Sequence, residues 1–300
     1  MTLQMSGFRH RRIRDYIQST LMSSDVLPRE TRIGRTALRV NDLEEISGFY
    51  RDVVGLSVLR HSDTGAVLGV EDTPLLVLEG AENALERHGS SAGLFHNAFR
   101  VPSREALGDA LARIRNHWQL GGASDHGVSE ALYLTDPEGN GIEIYRDYPR
   151  EDWPRGDDGR VRMGTYPLDL DPVEAAAAGE AGLPTGTDVG HVHLEVSSLE
   201  TFSDFYVDTI GFEVQTEMSA ALFVGAGGYH HHVGANTWNH RSGPVGGRGL
   251  SWFEVVLPDA AALGELEDRT ADSPYTVTET DDGISVMGPD DIEVRFRART

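Results

Sequence analysis

The sequence predicts an α+β chain of four βαβββ modules arranged as two duplicated halves. Three observations carry this: a repeat of constant offset, an alternating strand followed by an amphipathic helix at the head of each half, and a strand pattern closing the first half after a tight turn. RTALRVNDLEEISGFYRDVVGL from Arg35 and HVHLEVSSLETFSDFYVDTIGF from His191 align without a gap. Arg35 and His191, Tyr50 and Tyr206, and Gly55 and Gly211 are each separated by 156 positions. HNAFRVPSREALG from His96 and WFEVVLPDAAALG from Trp252 keep the same offset through Pro102 and Pro258, and through Gly108 and Gly264. A fixed offset across strands, helices and loops is the mark of a duplication.

Each element follows from local pattern. In the first module the strand ends at Asn41 or Asp42, either of which can cap the helix. Leu43, Ile46, Phe49, Tyr50 and Val53 then form its apolar stripe. AVLGV and TPLLVLEG supply the later strands of this module, and AALFVG and YHHHVGA those of the third. The closing strand of the second module follows the turn DPEGNG, with Ile142 and Ile144 on one side and Glu143 and Tyr145 on the other. A carboxylate is thus carried opposite the aliphatic face; a solvent-facing Glu on a half-buried sheet is the alternative. In the fourth module Glu293 is the counterpart of Glu143. Residues 1–30 are expected to be a disordered extension, 31–149 the first half and 189–300 the second. Residues 150–188, rich in Pro, Gly and Asp, are the linker, with a helix candidate at EAAAAGEA.

The 300 residues, 39% of them hydrophobic, can bury a sizeable core. There is no lysine, and 26 arginines face 48 acidic residues for a net charge of −22. That balance argues against nucleic acid or an anionic membrane surface as partner. Lysine-free acidity also resembles the hydrated surfaces of proteins from salt-loving cells. Without cysteine there is no disulfide, thiolate ligand or cysteine nucleophile. The head of the chain is locally basic, but no apolar run follows Arg11–Arg12, so an export signal is not indicated. No stretch is long and apolar enough to span a membrane as a helix. A soluble, cytoplasmic protein is expected.

The helix heads of the FYRDVVGL type and DPEGNGIEIY, spread over about Thr31 to Arg297, resemble the vicinal oxygen chelate superfamily, which includes glyoxalases, bleomycin resistance proteins and dioxygenases. Together with GHVHLEV, GYHHHVGANTW and DHGVSEALYLTDPEGNGIEIY, they are most similar to fused bacterial catechol 2,3-dioxygenases of the type I extradiol class. The resemblance implies cupped mixed sheets, each made by two facing modules, with a metal in the cup. It also implies ligands at the start of first strands and the end of last strands. The first-strand positions are Arg35, His96, His191 and Trp252; the last-strand carboxylates are Glu143 and Glu293.

Modules one and two would place an arginine among the ligands, and modules three and four an indole. Modules two and three offer His96, Glu143 and His191, two histidines and a carboxylate suited to non-haem Fe(II) with open positions; the same set can hold Mn(II). The halves are therefore expected to exchange partners, leaving one working cup and one metal-free cup per chain. His193 shares a face with His191 and stands as the alternative ligand or as a pocket-lining residue.

The same resemblance implies the remaining roles. His231, within the HHH run, matches the acid/base histidine, although a one-residue register change would put His230 or His232 there. A surface metal-scavenging tract is the competing explanation of that run. Tyr133 matches the tyrosine that hydrogen-bonds a substrate oxygen, a packed strand aromatic being the alternative, and His126 matches a histidine standing behind it; Asn236 and Trp238 are pocket-wall candidates. The expected activity is oxidative cleavage of a catechol-type substrate by O2 beside the diol, in the catabolism of aromatic compounds. The chain is also compatible with a homodimer. A glyoxalase-like metal-dependent lyase or transferase is the alternative, as is a non-catalytic binding protein of the resistance type. The lyase needs a second carboxylate where the HHH run stands.

Overall fold

The computed structural model describes residues 26–299. Most of the expected N-terminal extension, residues 1–25, lies outside them. Val26–Glu30 is part of the fold: Leu27 is buried, and its N–H donates to the Gly211 carbonyl at 2.8 Å.

The four βαβββ modules form two mixed sheets, as expected, and each sheet takes one module from each half. In the first half, β1 (Arg32–Val40), α1 (Leu43–Phe49) and strands β2 (Ser57–Ser62), β3 (Gly65–Val70) and β4 (Thr73–Gly80) make one module. The second comprises β5 (Gly93–Arg100), α2 (Arg104–His117), β6 (Gly122–Asp125), β7 (Ser129–Thr135) and β8 (Gly141–Asp147). After the connection, which adds β9 (Tyr166–Pro167) and α3 (Leu170–Ala175), come β10 (Asp188–Glu195), α4 (Leu199–Ser203), β11 (Glu213–Met218), β12 (Ala221–Gly225) and β13 (Val233–Asn236). The last module holds β14 (Gly249–Leu257), α5 (Ala260–Ala271), β15 (Thr276–Thr280), β16 (Gly283–Met287) and β17 (Glu293–Ala298).

The nine-stranded sheet runs β11-β12-β13-β10-β5-β8-β7-β6-β9, and the eight-stranded sheet β15-β16-β17-β14-β1-β4-β3-β2. Modules two and three thus share one sheet and modules one and four the other. The joints are antiparallel, β10 on β5 and β1 on β14. Within each joint the first strand pairs in parallel with the last strand of its own module, β5 with β8 and β10 with β13. Asn97 ties the sheets together by donating to the Thr36 hydroxyl at 2.7 Å.

The duplication repeats down to caps and turns. Asp42 caps α1, and Ser103 and Asp259, a repeat apart, cap α2 and α5. Both α1 and α4 widen into a π-helical turn, Tyr50–Val54 and Asp204–Thr209, that buries the repeated Tyr50 and Tyr206. Gly55 (φ 95°) and Gly211 (φ 97°) then reverse the chain in the left-handed region, where other residues are strained. In the DPEGNG turn, Asp136 Oδ1 accepts the N–H groups of Glu138 (2.9 Å) and Asn140 (2.8 Å), fixing where β8 begins.

Two elements differ from expectation. The helix in the connection is LDPVEA, capped by Asp169, and it ends where the alanine run begins, because a cap and a buried Val173 outweigh alanine propensity. The HHH run is not in a strand: it lies in a bent segment ahead of β13. Alternation between faces therefore does not apply to it. All three histidines are buried, which excludes a surface tract.

Candidate metal centre

Register across the nine-stranded sheet brings the ligand candidates together. Ala98 on β5 lies beside His191 on β10 and beside Glu143 on β8, and Glu143 lies beside Tyr133 on β7. His96, two residues before Ala98, shares its face and pairs with His193. His96 Nε2 is 3.0 Å and His191 Nε2 3.2 Å from Glu143 Oε2, and the two ring nitrogens are 3.3 Å apart. Among the described residues these three form the one group whose ligand atoms lie within 4.8 Å of one another. Ala98, with its small side chain, leaves the space between them open.

The donor set fits a divalent cation. Three lone-pair donors converge on one point, no arginine among the described residues neutralises the carboxylate, and all three residues are buried. His191 and Glu143 have the protonation states a metal requires. Burial pushes the His191 imidazole down to about 4, although Glu143 opposes this. Burial also disfavours the Glu143 carboxylate, but the His191 and His96 rings outweigh it and hold the group well below the usual carboxylate range. His191 Nδ1 is buried without a protein partner, so the ring is committed only through Nε2. His193 does not join the set: its Nε2 meets Asn236 Nδ2 at 3.1 Å, and its ring packs against Phe95.

A cavity of about 290 Å³ opens above the three ligands. Tyr133, His126 and His231 line it with His193, and Phe95, Phe223, Met218 and Trp238 supply apolar walls. Asn236 is buried behind His193 rather than in the wall. His126 donates from Nδ1 to the Gly164 carbonyl (2.7 Å), which leaves Nε2 to accept from the Tyr133 hydroxyl at 2.6 Å. Burial, with Glu143 nearby, pushes the Tyr133 phenol up and keeps it protonated. Opposite, the His231 ring lies against His191 with centroids 4.0 Å apart, and burial pushes its imidazole well below the usual histidine range.

Met163, Gly164 and Thr165, from the connection between the halves, complete the wall. Linker composition gave no sign of this; the Gly164 contact depends on β9 pairing with β6 at the sheet edge. Sequence reasoning also missed Asp147, which accepts from His230 Nε2 at 2.9 Å.

In the eight-stranded sheet the equivalent positions are filled. Glu254, one repeat from Ala98, takes a salt bridge from Arg35 (2.6 Å), the counterpart of His191, and another from Arg297 (3.1 Å). Trp252, the counterpart of His96, lies under the Arg295 guanidinium at 4.0 Å and donates to Glu79 at 2.9 Å. Glu293 accepts from Arg295 and Ser285. A bulky ion-paired carboxylate stands where the first cup has a methyl group.

His232 lies outside the cavity, and its Nδ1 accepts the Ala226 N–H at 3.1 Å. Burial pushes its imidazole down to about 3, so it is neutral in the fold and protonates more readily unfolded. Its contribution to stability is complete above an unfolded pKa of about 6.5 and is lost as the pH falls toward its folded value, at up to about 1.4 kcal/mol per pH unit. Urea denaturation between about pH 7 and pH 5 should show a shallower pH slope for His232→Asn, whose Oδ1 can accept the same N–H. An unchanged slope would contradict this assignment.

A paired-βαβββ fold with a three-residue cup on one sheet defines a class of proteins, and similarity to known proteins places the chain within it. Residues 32–144 match the Glyoxalase/Bleomycin resistance protein/Dioxygenase superfamily. The chain is 40% identical over 271 residues to the catechol-2,3-dioxygenase of Bacillus subtilis, covering 87% of this chain and 94% of that protein. It is 28% identical over 162 residues to biphenyl-2,3-diol 1,2-dioxygenase 3 of Rhodococcus globerulus, covering 51% of this chain and 84% of that one. Maize glyoxalase I has the same fold, with a TM-score of 0.55 at 14% identity over 89% of this chain and 92% of its own. The chain belongs to the glyoxalase/bleomycin resistance protein/dioxygenase superfamily.

Proposed function

We propose that the protein is a non-haem Fe(II) extradiol dioxygenase that cleaves a catechol-type substrate with O2 next to the diol. The observation that carries the reading is the convergence of His96, Glu143 and His191 beneath a cavity with proton-handling side chains on opposite sides. Similarity to the B. subtilis catechol-2,3-dioxygenase over nearly its whole length supports the same reaction class. A lyase of the glyoxalase type is disfavoured, because the position beside His191 holds the His231 ring instead of a further carboxylate.

His96, Glu143 and His191 would hold the metal, which when bound supplies chelation of the two adjacent catechol oxygens and activation of O2. The protein positions the ring and manages protons. Phe95, Phe223 and Trp238 would pack against an aromatic ring and exclude water, and among the described residues no arginine lines the cavity to recruit a charged substituent. Tyr133, kept protonated, offers its oxygen to a substrate hydroxyl while its own proton is taken up in the bond to His126. His231, neutral on the other side, accepts a proton from the diol and returns it during cleavage.

The test is anaerobic loading with Fe(II) followed by catechol and air. The yellow 2-hydroxymuconic semialdehyde should appear in the wild-type protein. Fully metal-loaded protein that gives no coloured product with catechol or with alkyl- and aryl-substituted catechols would overturn the reading.

A further inference from the structure

His230, His231 and Asp147 form a connected group whose hydrogen bonds leave little freedom in where the protons sit. We propose that Asp147 and His230 are positioning residues that fix the tautomer of His231, so that its Nε2 faces the cavity as a proton acceptor. The role in turnover rests on the ring-cleaving reading; the tautomer rests on geometry alone.

A carboxylate can only accept. Asp147 Oδ1 lies 2.9 Å from His230 Nε2, so that nitrogen carries the proton. In a neutral ring His230 Nδ1 is then a bare acceptor. It lies 2.8 Å from His231 Nδ1, a contact that forms a hydrogen bond only if His231 Nδ1 carries a proton. The remaining nitrogen of His231, Nε2, is left with its lone pair, on a ring that lines the cavity and lies against the ligand His191.

The far end of the chain is anchored. Asp147 Oδ2 accepts from Arg100 Nη1 at 3.2 Å and from the Tyr229 hydroxyl at 3.0 Å, and Tyr229 is bonded in turn to the Tyr145 hydroxyl at 2.8 Å. Arg100 also pairs with Asp188 through two contacts of 2.6 and 3.0 Å. It therefore ties β8 to the ends of β5 and β10, the strands bearing His96 and His191. His230 itself is buried between the rings of Tyr229 and Trp153, so water does not compete for its nitrogens.

Asp147→Asn should reverse the whole chain. The amide oxygen stays with Arg100, because the alternative rotamer would set an amide N–H against the guanidinium. The amide nitrogen then donates to His230 Nε2, which moves the His230 proton to Nδ1 and the His231 proton to Nε2. A histidine with the wrong nitrogen protonated cannot act as a base without rearrangement, and this defect costs catalytic triads several orders of magnitude.

The tautomers can be read without substrate or metal. Long-range ¹H–¹⁵N correlation spectra of the metal-free, ¹⁵N-histidine-labelled full chain at about pH 8, where imidazoles are neutral, should show His231 protonated at Nδ1 and His230 at Nε2. The His231 signals are assigned by their loss in His231→Gln. In Asp147→Asn both should switch. The Fe(II)-loaded variant should lose about 10²- to 10⁴-fold in kcat for catechol with KM changed less than about threefold. A wild-type His231 protonated at Nε2 overturns the proposal whether or not the variant folds. So does an Asp147→Asn protein whose His231 keeps its Nδ1 proton. If the wild-type enzyme cleaves no catechol, the function assigned to the site fails while the tautomer measurement still decides this one.

Discussion

Glu143→Ala is expected to abolish both metal retention and ring cleavage, whereas Glu293→Ala, at the corresponding strand of the other half, should leave both unchanged. The two glutamates end corresponding strands of the duplicated halves, yet their surroundings differ completely. Glu143 faces two imidazole nitrogens within 3.2 Å and, among the described residues, has no arginine beside it. Glu293 is engaged by Arg295 and Ser285. Removing the first leaves two imidazoles, too few to hold a divalent ion against buffer. Changes that only disturb the support of a ligand already cost about 10- to 100-fold in affinity or activity, so loss of the ligand should exceed this. The check is metal content after desalting, with oxygen uptake on catechol. Equal metal content in the two variants would show that the cup with His96 and His191 is not the metal centre.

His231→Phe should separate proton handling from metal binding. Phenylalanine keeps the ring that packs on His191 and Phe223 but has no basic nitrogen. The three ligands are untouched, so the variant should still bind about one equivalent of Fe(II) and lose about 10²- to 10⁴-fold in kcat, the range ascribed to general acid–base groups. Substrate KM should move far less, since on the proposed reading the diol is held mainly by the metal and Tyr133. A variant that keeps its turnover would transfer the role to another cavity residue; His193 and His126 are the two remaining imidazoles.

Much of this was legible in the sequence because a duplication carries its own controls. The 156-residue offset aligned His96 with Trp252 and His191 with Arg35. With the superfamily's ligand positions, those pairs selected modules two and three as partners, and the sheet order has that pairing. Other features depend on approaches that spacing does not encode. His230 draws its importance from Asp147, 83 positions earlier in the chain, and from a bend that sets its ring beside that of its neighbour. The Gly164 carbonyl that orients His126 is a backbone group in a stretch whose composition reads only as a connection. Glu254 resembles an ordinary strand residue until it is compared with Ala98: the same position in one repeat leaves room for an ion and in the other closes it with a salt bridge.

The exchange of partners between halves also governs the order in which the molecule can be assembled. Strand β5 pairs on one side with β8, made soon after it, but on the other with β10; β1 waits for β14, near the end of the chain. A nascent first half therefore leaves the ribosome with two apolar strands each bare along one edge, the situation most open to mispairing. Neither sheet can close, and His191 cannot join His96, until the later half has been synthesised and laid alongside. Synthesis from one end thus delivers an unfinished surface, which only the second half can complete.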